Sequence, residues 1–217
     1  TIEEGLTLDG VVALEDPPRE GVADAVGRCH GAGLRVLMLT GDHPRTALGI
    51  ARQAGIVDRD ATAVVTGDDL AELDDAGLDA ALAAHRVYAR LRADQKMRIV
   101  TALRRQGEVV AVTGDGVNDA PALRVADIGI AMGRSGTDVA RESADLVLAD
   151  DNFASIVAAL EEGRAVYANI RKFLTLLLSA NVAELIPYLA FVTFRIPLPL
   201  TVLQILSIDL GSEVLPS

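Results

Sequence analysis

Two apolar runs of this sequence end in the same tripeptide. Thr40-Gly41-Asp42 follows Val36–Leu39, and Thr113-Gly114-Asp115 follows Val109–Val112. A threonine hydroxyl beside glycine-exposed amides can bind phosphoryl oxygens, and a helix starting just beyond adds the positive end of its dipole. The second stretch continues Gly116-Val117-Asn118-Asp119, which sets two carboxylates four positions apart with a side-chain amide between them. Mg²⁺ takes few protein carboxylates and completes its shell with water and phosphate, so this loop is a candidate Mg²⁺ site. An ordinary strand-to-helix turn capped by Asp uses the same residues; the recurrence of the tripeptide favours a site. Lys96 begins a helical segment, Lys96-Met97-Arg98-Ile99-Val100, and could bring an ammonium to the same phosphoryl group. A solvated lysine at a helix start is the alternative.

Loops of this kind need strands to carry them. Gly10–Leu14, Arg35–Thr40, Ala63–Thr66, Val87–Ala89, Val109–Thr113, Ile128–Ala131 and Leu146–Leu148 are short apolar runs separated by helix-length segments. The junction Asp16-Pro17-Pro18-Arg19-Glu20 offers an N-cap and a proline at the first helical position, with Gly31 and Gly33 near the far end. Alternation of strand and helix predicts an α/β fold, a parallel sheet with flanking helices on both faces and ligands outside the strand C-termini. Both Thr-Gly-Asp loops fall at such ends.

The 217 residues include 31 Asp+Glu against 20 Lys+Arg, a formal net charge of -11, and only 3% are aromatic. A general nucleic-acid partner is excluded, because phosphate neutralisation needs clustered cations and base stacking needs aromatic platforms. The lone Cys29 cannot close an intramolecular disulfide and reads as a free core thiol. A mean hydropathy of +0.31 beside such acidity implies two unlike parts. Residues 173–217 carry only Glu184, Arg195, Asp209 and Glu213 as charges. Phe173–Phe194 is long enough to cross a hydrocarbon core of about 30 Å as a helix; Arg195-Ile196-Pro197-Leu198-Pro199 reads as a turn, and Leu200–Pro216 as a returning span. The expectation is a transmembrane α-helical hairpin in a lipid bilayer, with a buried core hairpin as the alternative. Arg164, Arg171 and Lys172 before the first span place the soluble part in the cytoplasm of an integral membrane protein. The abrupt start at Thr1 and the end within a span lead us to expect a piece of a longer protein.

Taken together, Thr40-Gly41-Asp42, Lys96 and the run Thr113 to Leu123 resemble the later motifs of the haloacid-dehalogenase superfamily, in the form carried by P-type cation-transporting ATPases. The resemblance continues through Ala126–Gly133, Gly136–Ala140, Ala149–Phe153 and Ile196–Leu200. It implies a partial Rossmann-like haloacid-dehalogenase fold and a pump of the plasma membrane that forms an aspartyl-phosphate from ATP with Mg²⁺. The required Asp-Lys-Thr-Gly-Thr is absent, and Asp9-Gly10 lacks the second Asp and the Thr of a nucleophile loop. By resemblance, residues 1–152 are the C-terminal part of the phosphorylation domain and 153–172 a stalk helix. The fifth pump helix is then 173–194, the extracytoplasmic turn 195–199 and a truncated sixth helix 200–217. The partners implied are the remaining domains of the same polypeptide.

Roles follow from the same resemblance. Thr40 and Gly41 hold phosphoryl oxygens, Lys96 neutralises their charge and Asp115 coordinates Mg²⁺. Asn118 and Asp119 orient phosphate, metal and nucleophile, and Asp42 supports the first loop. Thr113 and Gly114 join the phosphate contacts, and Asp16 and Arg19 the adjoining nucleotide and domain contacts. Ala93 departs from the proline usual there. An acid inside a bilayer is costly and therefore a functional candidate. Asn181 and Glu184 share one helical face, and Asp209, Ser212 and Glu213 another. These oxygen ligands suit a hard transported cation, Ca²⁺, Na⁺, K⁺ or H⁺; a soft metal would call for thiolates, and the spans contain none. Protonated acids, or acids paired with neighbouring helices, are the alternative. Two other functions stay open: a membrane-tethered phosphatase, which would need its own nucleophile, and an inactive membrane scaffold. A nearly continuous helix from Phe153 to Phe194 is expected, with possible bends at Gly163 and Pro187.

Overall fold

The computed structural model describes residues 17–194, apart from the side chain of Glu184, together with Thr7, Asp9, Gly10, Thr201, Gln204 and Ser207. The expected first strand at Gly10–Leu14, Asp16, and most of the returning span lie outside the described residues. The chain divides into two compact units, Thr1–Val157 and Ala158–Ser217.

Among the described residues, the first unit forms two parallel three-stranded sheets. One is built from β1 (Met38–Leu39), β2 (Val65–Thr66) and β3 (Val87–Ala89) in the order β1-β3-β2, the other from β4 (Ala111–Gly114), β5 (Ile128–Met132) and β6 (Leu146–Leu148) in the order β4-β5-β6. β3 has no exposed residue, and its alternating side chains feed two cores. Val87 and Ala89 pack with Ala47 and Ala51 of α2 (Pro44–Gln53). Tyr88 enters the other core with Leu78 and Leu82 of α4 (Asp75–Ala84) and Ile99 and Leu103 of α5 (Ala93–Arg105). Helices therefore cover both faces of this sheet, and each fully buried Leu or Ile contributes about 1.5–3 kcal/mol. Burial pushes the Tyr88 phenol up to about 12, while its hydroxyl donates to the Ala81 carbonyl at 2.9 Å. In the second sheet, Ala131 packs with Leu123 of α6 (Ala120–Val125) and Ala140 of α7 (Asp138–Ser143). α3 (Gly67–Glu72) follows β2 directly, capped by Thr66.

Several boundaries differ from the sequence reading: the strands expected at Ala63–Thr66 and Val109–Thr113 run Val65–Thr66 and Ala111–Gly114, and Ile128–Ala131 extends to Met132. The first helix, α1 (Val22–Gly31), starts after the two prolines because Gly21, at φ 81°, turns the chain through the left-handed region just before it. The expected strand Arg35–Thr40 is ladder-paired only at Met38–Leu39, opposite Val87 and Tyr88, and the Thr40 amide still donates to the Tyr88 carbonyl at 3.0 Å as the chain enters the loop. Cys29 is buried with Ala25, and that burial raises its thiol pKa.

α8 (Phe153–Phe194) runs unbroken for 42 residues through Gly163 and Pro187, roughly 60 Å at about 1.5 Å per residue. By length and composition it can cross a membrane, and none of its most apolar stretch is buried. Two of its hydroxyls bond within the helix: Thr175 Oγ1 donates to the Arg171 carbonyl at 2.8 Å and Ser179 Oγ to that of Thr175 at 2.7 Å.

Candidate functional site

The two Thr-Gly-Asp loops leave the ends of β1 and β4, where an α/β sheet presents its ligand-binding loops, yet they are built differently. In the first, Thr40 Oγ1 donates to Asp42 Oδ2 at 2.9 Å and accepts from the Asp42 amide at 3.1 Å, so Asp42 closes the loop on itself. The loop after β3 braces it: the Leu91 amide donates to the Thr40 carbonyl and the Arg90 amide to the Asp42 carbonyl, both at 3.0 Å. Arg90 holds this position at φ 52°. α2 begins just beyond, with the His43 side chain accepting from the Arg45 amide at 3.2 Å.

In the second loop the carboxylate that reaches back is Asp119. Its Oδ2 accepts from the amides of Gly116 at 3.1 Å and Asp115 at 3.3 Å. Its Oδ1 accepts from Lys96 Nζ at 2.7 Å, with the two side chains only 13% and 16% exposed. Gly114 is required here: a Cβ would stand 2.4 Å from that of Asp119. A Cβ at Gly41 would meet nothing nearer than the Leu91 carbonyl at 3.7 Å.

Lys96 arrives on the first turns of α5. That helix starts at Ala93, and the Gln95 side chain takes over its opening, accepting from the Arg92 amide at 3.0 Å and donating to the Gly67 carbonyl at 2.6 Å. Alanine in place of proline therefore leaves the Lys96 turn anchored.

The arrangement divides the roles of the two carboxylates. Asp119 is spent on Lys96 and backbone amides, whereas the Asp115 carboxylate is exposed and accepts no hydrogen bond from a described residue. Among the described residues, no three His, Cys, Asp or Glu side chains gather as a metal-binding group. One free hard oxygen ligand, with waters and phosphate for the rest of the shell, still fits Mg²⁺. Asn118 and Thr113 are exposed nearby in sequence. Arg19 lies elsewhere, donating to the Asp151 carbonyl. In α8, Asn181 is exposed and Glu184 falls three positions on; Asp209, Ser212 and Glu213 lie outside the described residues.

Composition and motif reading assigned no role to Thr137 or Asp151. Thr137 donates to the Asp115 carbonyl from its amide at 2.8 Å and from Oγ1 at 3.2 Å. Asp151 is buried at φ 53°. The glycine before Thr137 was the available signal: a Cβ at Gly136 would fall 2.0 Å from the Met132 carbonyl oxygen.

Parallel sheets with helices on both faces of the first, two Thr-Gly-Asp loops at strand ends and a lysine–aspartate pair beside the second define an α/β domain with its polar loops at the strand C-termini. Residues 1–127 match the profile of the haloacid dehalogenase-like hydrolases, and residues 97–160 match a second profile of the same description; the chain belongs to that family. Within it, the similarity is to P-type ATPases over nearly the whole chain. Sodium/potassium-transporting ATPase subunit alpha-2 of Pongo abelii is 46% identical over 239 residues, covering 99% of this chain and 23% of the relative. Subunit alpha-B of Artemia franciscana is 45% identical, covering 98% and 24%. A crystal structure of a zinc-transporting PIB-type ATPase superposes with a TM-score of 0.66 at 33% identity, covering 93% of this chain and 27% of that one. The chain thus spans about a quarter of the length of the proteins it resembles.

Proposed function

We propose that the chain is the part of a P-type cation-transporting ATPase that binds the transferred phosphoryl group and leads into the cation path. The observation that carries this reading is the Lys96–Asp119 pair, 2.7 Å long and mostly buried beside an exposed Asp115. Lys96 supplies positive charge where phosphoryl oxygens gather, Asp119 holds the ammonium in place, and Thr40 and Gly41 offer a hydroxyl and an amide from the other loop. Asp115, with Asn118 at its side, would hold Mg²⁺, which supplies charge neutralisation at the phosphoryl oxygens. The nucleophile is not in these 217 residues, which contain no Asp-Lys-Thr-Gly-Thr. The aspartyl-phosphate formed from ATP therefore belongs to the whole polypeptide, and this chain alone neither hydrolyses ATP nor transports.

In this reading residues 1–152 complete the phosphorylation domain, 153–172 form a cytoplasmic stalk, and 173–194 and 200–217 cross the plasma membrane. Asn181, Glu184, Asp209, Ser212 and Glu213 supply oxygen ligands to a hard cation, Ca²⁺, Na⁺, K⁺ or H⁺. Residues 173–217 lack cysteine, which argues against a thiolate site of the kind a soft metal prefers.

The test is labelling of the full-length polypeptide by γ-labelled ATP, screened against these cations. Acid-stable, hydroxylamine-sensitive label that depends on one cation and is lost in Lys96→Ala is the expected result. A full-length polypeptide that takes no such label, or ATP turnover by the 217-residue chain alone, would overturn the proposal.

A further inference from the structure

The loop between β5 and α7 joins two places that the sequence keeps apart. At one end, Thr137 grips the Asp115 carbonyl with both its amide and its hydroxyl, at 2.8 Å and 3.2 Å. At the other, three consecutive amides are taken up by the segment that precedes α8. Gly133 N donates to the Leu148 carbonyl at 2.9 Å, Arg134 N to Asp151 Oδ1 at 2.9 Å and Ser135 N to Asp151 Oδ2 at 2.7 Å. Arg134 Nε adds a bond to the Ala149 carbonyl at 3.0 Å. Successive amides of this kind form a nest for an anion, and here the anion is internal.

Several features show that this contact is built. Asp151 is only 5% exposed, and its backbone sits at φ 53°, which favours glycine or asparagine. Its carbonyl accepts from Arg19, so the residue is tied on both sides. The loop cannot widen at its glycines. A Cβ at Gly133 would lie 2.6 Å from the Leu148 carbonyl oxygen, and one at Gly136 2.0 Å from that of Met132. Arg141 closes the same turn, donating to the carbonyls of Gly133 and Gly136.

From this chain of contacts we infer that Asp151 is a positioning residue. Its carboxylate fixes the loop 133–137, and Thr137 at the end of that loop holds the backbone of Asp115, setting where the exposed Asp115 carboxylate stands. The inference rests on the reading of Asp115 as the Mg²⁺ ligand. A residue placed immediately before α8 thereby tunes metal affinity without touching the metal.

Two substitutions separate backbone from carboxylate. Asp151→Gly accepts the left-handed backbone and removes both acceptor oxygens; Asp151→Asn keeps that backbone and one acceptor. In the full 217-residue chain in lipid nanodiscs, amide exchange at Thr137 should accelerate at least about tenfold in Asp151→Gly and less in Asp151→Asn. Mn²⁺, read by paramagnetic broadening of the Gly114 and Gly116 amides, should bind several-fold more weakly in the same order. Leu78→Ala, which opens a cavity in the other sheet's core, serves as a destabilised control and should leave Mn²⁺ affinity unchanged. Unchanged Thr137 exchange in Asp151→Gly overturns the inference, as does faster exchange with Mn²⁺ affinity intact. If Asp115→Asn leaves Mn²⁺ binding as it was, the metal reading fails, while Thr137 exchange still decides whether Asp151 holds Asp115.

Discussion

At the scale of single residues, Lys96 and Gly114 illustrate two different dependencies on Asp119. Lys96 neutralises a carboxylate with little access to water, so removing it leaves a charge with only two backbone amides to hold it. Lys96→Met should destabilise the 217-residue chain by about 1–3 kcal/mol in urea unfolding, the range for an orphaned, partly buried charge. On the proposed function, it should lower phosphorylation of the full-length polypeptide by at least about a hundredfold, as loss of a positioned cation does. Gly114 is needed for space alone: Gly114→Ala should cost about 1–3 kcal/mol by forcing Asp119 away, whereas Gly41→Ala in the sister loop should stay within about 0.5 kcal/mol. Equal costs in the two loops would contradict the steric account. Both tripeptides were legible as phosphate-loop candidates from residue type and spacing. Their inequality was not, because it depends on a carboxylate four residues downstream folding back under Gly114, and on a lysine 23 positions before it arriving from another helix.

At the scale of elements, the strands were legible where the surroundings are wholly apolar. Val87–Ala89 is buried on both faces, so an uninterrupted apolar run sufficed. Met38–Leu39 was overextended because pairing length is decided by the neighbouring strand, which no local pattern records. The contact of Asp151 with the loop 133–137 was hidden for a similar reason: Asp150-Asp151 reads as any acidic turn until its amide donors are known. Its chemistry carries a pH prediction. The Arg134 amide, with Ser135, holds the Asp151 carboxyl down at about 2, against an ordinary 3.8. The folded state therefore binds this proton less readily than the unfolded chain. Its stabilising effect is whole above about pH 4 and disappears as the pH falls through about 2. Amide exchange of Arg134 and Ser135, corrected for the intrinsic pH dependence, should accelerate across that window in the wild type. In Asp151→Asn, which has no proton to gain at this position, it should rise less steeply, by the part that the other carboxylates contribute. A wild-type profile parallel to that of Asp151→Asn would show that the carboxylate does not hold the loop.

At the scale of the molecule, α8 combines two chemistries in one unbroken helix. Between Phe153 and Lys172 it carries Glu161, Glu162, Arg164, Arg171 and Lys172, and from Phe173 to Phe194 only Glu184. Water is the better solvent for the first stretch and hydrocarbon for the second, since a mid-helix charge in a bilayer costs several kcal/mol while each apolar side chain gains by leaving water. The boundary should fall near Lys172, where long basic side chains can reach the headgroups. Cys29 is the single cysteine and is buried in the first unit, so a Cys29→Ala background allows one cysteine to be moved along the helix. In lipid bilayers, cysteines at positions 158, 161, 164 and 168 should react with a membrane-impermeant maleimide. Those at 176, 178, 182, 185 and 189 should be protected, with protection extending over about 20 residues. The same cysteines should all react in urea, which separates burial in lipid from a slow intrinsic reaction. Alternating protection with a helical period through 173–194 would instead mean that one face meets water or protein. Glu184 decides between these outcomes in the middle of the span. If position 184 and its neighbour on the same face, 181, react while 182 and 186 do not, the helix presents its polar face to an aqueous path, as a cation site there requires.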